Sequence, residues 1–325
     1  MQTVINACID GSLNHAQIAA FLALMRSKEE TVEELTAAAL IVLSHARKID
    51  LGPHLLDIVG TGGDGGSTFN VSTLTSVVVA SAGVKVAKHG NRAVSSKSGS
   101  SDLLTTAGFN LKCSDDVLRQ SIETTHLAFL FAPYFHQALQ NVGEVRKSLG
   151  IRTLFNLIGP LVNPARVDHI VLGVYDKKWL KPMAEVLANL GLKKAYVIHS
   201  EDGLDEVSIA APTHMVIYAD GHFKQWTINP HDYNLGHPDL SGVIIQTPVQ
   251  SLELGMRVLN KDKGPHRDMI LLNAALALLC INKVESLVEG IAMAQDAIDS
   301  GLALKTFEMT KHIMNQENLA HDKYS

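Results

Sequence analysis

The first fifty residues carry apolar positions at helical spacing and none at strand spacing. Asn14 followed by Gln17 forms a capping-box pattern, and it opens a run that puts Ile18, Phe21, Leu22 and Met25 on one face. Thr31 followed by Glu34 is a second box, opening TVEELTAAALIVLSHARKI. The helical pattern stops at Gly52-Pro53, a turn signal. Beyond it the period changes. LLDIVG (55–60) is a short apolar strand feeding a glycine-rich loop, STLTSVVVASAG reads as a helix, and VKVAKHG (84–90) reads as a second strand. HIVLGVYD (169–176) and KAYVIHSED (194–202) repeat the arrangement with a helix between them. MVIYADGHFKQWTI, within 207–248, predicts a meander or an antiparallel edge. RDMILLNAALALLCI and SLVEGIAMAQDAIDSG return to helix, with Gly301 at a C-cap. Strands alternating with helices predict an α/β protein: a small N-terminal all-helical domain plus a large α/β domain with a mainly parallel central sheet covered by helices.

Composition supports that picture. A length of 325 residues suits two domains, set here at 1–54 for the helical part, rejoined by a helical excursion near 150–166, and 55–325 for the α/β part. Apolar residues make up 46% of the chain, which excludes intrinsic disorder. Lys plus Arg total 28 against 33 for Asp plus Glu, a net charge of −5, which argues against non-specific nucleic-acid binding. Cys8, Cys113 and Cys280 are too scattered for a metal knuckle or a disulfide framework and read as free thiols of a reducing, cytoplasmic setting. MQTVINACIDGS lacks the basic segment of a secretory signal. The apolar runs Ser76 to Ala82 and Ile270 to Ile281 fall short of the roughly 18 residues of a membrane span, so no membrane association is expected.

Four segments carry candidate chemistry. In DIVGTGGDGGSTFNVST (57–73), five glycines stand between a strand and a helix. Glycine lets successive backbone N–H groups close on a ligand, and a helix N-terminus adds a positive field, so phosphate or pyrophosphate is the expected guest. The loop is neither a P-loop nor a GxGxxG turn. KHGNRAVSSKSGSSD (88–102) follows the next strand and supplies Lys88, Arg92, Asn91 and a row of serine hydroxyls, a local cationic site in an acidic chain. HSEDGLDEVS (199–208) crowds Glu201, Asp202, Asp205 and Glu206 together; such density either recruits Mg²⁺ beside phosphate oxygens or stays solvated. In VRKSLGIRTLFNLIGPLVNPA (145–165), one of Arg146 and Arg152 fits a substrate carboxylate and the other a structural ion pair; spacing does not choose.

Together with FLFAPYFHQAL and GPHRDMILLNAALAL, these segments resemble, in order and over nearly the whole chain, the anthranilate phosphoribosyltransferase family of tryptophan biosynthesis. The resemblance implies a Mg²⁺-dependent glycosyltransferase that joins anthranilate to phosphoribosyl pyrophosphate. It implies donor contacts at Gly60, Gly63, Asp64, Thr68, Asn70, Val71, Ser72, Thr73, Lys88, His89, Gly90, Asn91, Arg92, Ala93, Val94, Ser95, Ser96 and Ser100. Anthranilate contacts are implied at Gly60, His89, Asn91, Arg146 and Pro160, with Arg146 facing the carboxylate, and metal ligands at Ser72, Asp205 and Glu206. No general base is required, no cofactor beyond Mg²⁺ is implied, and family members pair as homodimers through the helical part. Two departures stand out: Ser101 where alanine is usual, and Gln137 where proline is common. The related pyrimidine nucleoside phosphorylases share the K-x-G-x-R loop, but the Asp205-Glu206 pair and the arginine segment favour a metal-bound diphosphate and an aromatic acid. A nucleic-acid-binding relative would need a basic groove, which the net charge of −5 opposes.

Overall fold

The computed structural model describes residues 1–63, 67–93 and 97–316. Helices α1 (Gln2–Ile9), α2 (His15–Lys28) and α3 (Val32–His45) open the chain. Both capping boxes form. Asn14 and Gln17 exchange two side-chain-to-backbone bonds of 3.0 Å, and Thr31 and Glu34 do the same at 3.3 and 3.0 Å. Each box satisfies first-turn N–H groups that have no acceptor within the helix. Ile18, Leu22 and Met25 are buried as the spacing predicts, with Phe21 half-buried.

A seven-stranded sheet follows: β1 (Leu56–Gly60), β2 (Val86–Gly90), β3 (Leu127–Phe131), β4 (His169–Gly173), β5 (Lys194–Ser200), β6 (Thr213–Ala219) and β7 (His222–Ile228), in spatial order β3-β2-β1-β4-β5-β6-β7. The first five run parallel, with Gly60 beside Gly173 across β1 and β4. The last two are the antiparallel edge that 207–248 predicts. Asp220 and Gly221, at φ +50° and +78°, make the two-residue turn between them, a geometry matched to strand twist. Strand β3 escapes the pattern reading. Its five residues, LAFLF, are apolar without alternation, and such a run reads equally as part of a buried helix.

Between the strands lie α4 (Val71–Ser81), α5 (Ser100–Thr106), α6 (Asp115–Thr125), α7 (Ala132–Phe135), α8 (Gln140–Leu149), α9 (Leu154–Ile158) and α10 (Leu180–Asn189); α11 (Pro248–Leu259), α12 (Pro265–Cys280), α13 (Leu287–Asp299) and α14 (Leu302–Met314) complete the chain. Alternate strand residues divide the interior in two. Leu56, Ile58, Val171, Tyr196, Ile198 and Met215 join the core built with α4, α6 and α12 to α14. Ile170, Leu172, Ala195, Val197 and Val216 join a second core with α1 to α3, α8, α9 and α10. The chain thus returns, after β3, to the layer its first three helices began. Helix α12 is buried nearly all round, as an apolar helix without a polar face must be. The winding reverses between β1 and β4, and open α/β sheets bind ligands in the crevice at the carboxyl ends of such a strand pair.

Candidate active site

A cavity of about 460 Å³ opens at that crevice. One wall is the end of β1 with Gly60, Gly62 and Gly63; a second is the end of β2 with Lys88 to Ala93; a third comes from α8 and α9 with Arg146, Phe155 and Pro160; Asp205 and Glu206 enter from beyond β5. Chain regions remote in sequence therefore converge where the topology predicts a ligand.

The carboxylate wall depends on missing side chains. Asp205 is held by the Gly62 N–H, which donates to Oδ2 at 2.7 Å. A Cβ at Gly60 would run into that carboxylate, and one at Gly173 would run into the Asp205 backbone carbonyl. Gly62 and Gly63, at φ +64° and +72°, occupy the left-handed region that turns the loop back over the strand end. Burial pushes the Asp205 carboxyl up, while the Gly62 N–H, its own backbone, His199 and Lys88 pull it down. Glu206 Oε2 lies 3.3 Å from Thr68 Oγ1. Ser72, Asp205 and Glu206 all line the cavity. They offer only oxygen donors, and among the described residues no group of three His, Cys, Asp or Glu is placed to hold a metal ion by itself. That donor set fits a hard divalent cation such as Mg²⁺, which keeps part of its shell for water and phosphate oxygens.

Lys88 is 3% exposed and lines the same cavity. Burial lowers its ammonium, while Asp57, Glu206 and Asp205 favour the charged form. Beneath it, Asp57 accepts from the His89 N–H at 3.2 Å and from Asn163 Nδ2 at 2.7 Å; Asn163 Nδ2 also donates to the Ala87 carbonyl at 2.8 Å. The rings of His89 and His136 meet edge to face at 5.3 Å on the cavity wall. Burial drives His89 well below the ordinary imidazole range and His136 down to about 4, so both are neutral at pH 7. Neither Nε2 has a hydrogen-bond partner within the described residues.

The two arginines separate cleanly. Arg152 donates to the Gly63 carbonyl at 2.5 Å and stacks 4.1 Å over the Tyr175 ring, outside the cavity. Arg146 lines the cavity, lies 5.7 Å from the Phe155 ring centre and contacts Asn156 Oδ1 at 3.4 Å. Burial lowers its guanidinium, and no described carboxylate stands within 4.0 Å of it. A half-buried cation without a carboxylate partner is costly unless a ligand supplies one.

The cavity gathers Gly60, Gly63, Thr68, Asn70, Ser72, Lys88, His89, Gly90, Asn91, Arg92, Ala93, Ser100, Arg146, Pro160, Asp205 and Glu206. Val71 and Thr73, in the first turn of α4, are fully buried and do not line the cavity. Asp64, Val94, Ser95 and Ser96 lie outside the described residues. Ser101 and Gln137, the two departures, do not line the cavity. Sequence reasoning missed Asp57, Asn163, His136 and Asp102. The last accepts from the N–H groups of Ala93 and Gly99 at 2.8 and 2.9 Å and so closes the second loop. The spacing of Gly99 and Asp102, a capping pattern, was the available signal.

Residues 52–304 match the α/β domain of a glycosyl transferase family, and residues 1–46 match the helical bundle domain of that family. An anthranilate phosphoribosyltransferase of Legionella pneumophila (strain Corby) is 57% identical over 307 residues, spanning 94% of this chain and 89% of the relative. One from Hydrogenovibrio crunogenus is 45% identical over 309 residues, spanning 94% and 91%. The crystal structure of the Thermus thermophilus enzyme superposes with a TM-score of 0.90 at 37% identity, covering 97% of this chain and 94% of that one. The Saccharomyces cerevisiae enzyme in complex with PRPP and Mg superposes at 0.85 with 33% identity, covering 93% and 86%. Identity beyond one half over nearly the full length, joined to a shared fold, makes this chain a member of the anthranilate phosphoribosyltransferase family.

Proposed function

We propose that this protein transfers the phosphoribosyl group of phosphoribosyl pyrophosphate to the amine of anthranilate, a step of tryptophan biosynthesis. The observation that carries the reading is the pairing, in one cavity, of an anion cradle and a half-buried arginine with no carboxylate partner among the described residues. The glycine loop, the first turn of α4 and the 88–93 segment hold the donor phosphates through backbone N–H groups and Lys88. Arg146 takes the anthranilate carboxylate in a two-pronged bond and aims the amine at the ribose carbon.

The C1–N bond forms as the C1–O bond to pyrophosphate breaks, and the electron pair leaves on pyrophosphate. The anilinium proton passes to solvent or to the leaving group. An arylamine attacks in its neutral form, so the neutral His89 and His136 need only shape the acceptor wall and exclude water. Ser72, Asp205 and Glu206 would hold Mg²⁺, which when bound neutralises charge on the leaving diphosphate. Lys88 adds a fixed positive charge on the same side, where buried electrostatics count most.

The division into a helical unit at 1–54 and an α/β catalytic unit at 55–325, pairing as a homodimer through the helical unit and a cytoplasmic setting complete the proposal. No helix among the described residues is long and apolar enough to cross a membrane. The test is the loss of anthranilate fluorescence on mixing with phosphoribosyl pyrophosphate and Mg²⁺. Loss that requires all three supports the reading; no loss, with turnover of uridine plus phosphate instead, overturns it.

A further inference from the structure

Asn70 stands at the N-cap of α4, and asparagine is among the best residues for closing a helix start. It does not close this one: no side-chain cap bond forms. Its amide is engaged elsewhere. Oδ1 accepts from Ser251 Oγ and from Ser98 Oγ, each at 2.7 Å, and Nδ2 donates to the Ser98 carbonyl at 3.0 Å. The Asn70 N–H donates in turn to Ser251 Oγ at 2.9 Å. Four bonds thus tie the first loop, the second loop and helix α11 at one residue.

The same part of the chain is stitched to the first loop through the backbone. Phe69 N–H donates to the Val243 carbonyl at 3.0 Å, Ile245 N–H donates to the Ser67 carbonyl at 2.7 Å, and Thr68 and Ile244 form an isolated antiparallel bridge. Ser251 is fully buried and lies outside the cavity, so it touches no ligand there.

We infer that Ser251 is a positioning residue for the donor site: with Ser98 it holds the Asn70 amide away from the cap position and leaves the Ser72 and Thr73 N–H groups of α4 open to a phosphate, the Val71 N–H being taken by the Phe69 carbonyl. The energetic logic is a competition. Without the Ser251 hydroxyl, Asn70 Oδ1 loses one of two donors and its N–H loses its acceptor, while the helix start offers a replacement bond within the same residue's reach. An Asn70 that caps α4 occupies the amides the donor needs. The inference rests on the proposed function for the identity of the donor.

The test measures donor and acceptor separately. In Ser251→Ala the KM for phosphoribosyl pyrophosphate and its Kd by calorimetry with Mg²⁺ should rise about tenfold, the worth of one to two hydrogen bonds, while the anthranilate KM stays within about twofold. Ser98→Ala should weaken the donor in the same way. The double variant should cost less than the product of the two single effects, because both hydroxyls act through one oxygen. An unchanged donor KM in Ser251→Ala, an equal rise in both KM values, or fully multiplicative effects in the double variant would overturn the inference. Ser98 itself lines the cavity, so if Ser251→Ala does not fold, Ser251→Cys, with a weak donor and acceptor in place of the hydroxyl, is measured instead and should raise the donor KM selectively. Failure of the wild-type chain to bind phosphoribosyl pyrophosphate at all counts against the proposed function and is distinguishable from these outcomes.

Discussion

The Asp205 carboxylate sits where a side chain at Gly60 would have to be, with its Oδ2 bonded to the Gly62 N–H at 2.7 Å. Strand end and carboxylate can share that space only because position 60 has no Cβ. Gly60→Ala should therefore displace Asp205 and lower kcat/KM by about a hundredfold, the loss expected when one preorganised charged group leaves its place. Steady-state kinetics check this, with circular dichroism to confirm the fold. Wild-type kinetics in Gly60→Ala would show that Asp205 can move without consequence.

Replacing Asp205 and Glu206 together, as Asp205→Asn with Glu206→Gln, removes the oxygen charge on the metal side of the cavity. Turnover should fall by about three orders of magnitude, the scale of lost electrostatic stabilisation. Raising Mg²⁺ should not restore it. Near-normal turnover in the double variant would remove both residues from the metal assignment.

Arg146 and Arg152 should fail in opposite ways. Arg146→Ala takes away the carboxylate partner and should raise the anthranilate KM by about a hundredfold, with the donor KM nearly unchanged; Arg146→Lys recovers only part, because a point charge replaces a planar fork. Arg152→Ala frees the Gly63 carbonyl and should act on the donor KM instead. Identical kinetic profiles for the two variants would contradict this division of roles.

Asp57 gives the protein a pH signature. Burial pushes its carboxyl from 3.8 up to about 6, against Lys88, Asn163 and the His89 N–H, which pull it down. A native pKa above the unfolded value means the folded state binds the proton more tightly. The stability from this group is thus complete below about pH 4 and is lost as pH rises through about 6. Asp57→Asn should flatten the change in unfolding free energy across that window, as read by chemical denaturation at successive pH values. The same slope in the variant and the wild type would exclude Asp57 as its source.

What the chain disclosed in advance follows from how local each signal is. The caps at Asn14 and Thr31 depend on residues three apart, and both form as read. The glycine loop, the cationic loop and the Asp205-Glu206 pair each sit after a strand, and parallel topology carries all three to one crevice. Strand β3 was illegible because five apolar residues have no period to read. Spacing does not tell Arg146 from Arg152, and only the family resemblance chooses Arg146, since their difference arises when the chain folds back beside Gly63 and Tyr175. Asp57, Asn163 and Ser251 look like ordinary strand, loop and helix residues. Their importance comes from partners between 32 and 181 positions away in the chain, which no local window contains.

The central claim is that donor and acceptor occupy this cavity together and exchange one group. The most direct measurement follows pyrophosphate release and anthranilate loss in the same reaction with Mg²⁺ present. Equal amounts of each, with neither process running when the other substrate is withheld, are the predicted result. Pyrophosphate released without anthranilate consumed would contradict the account.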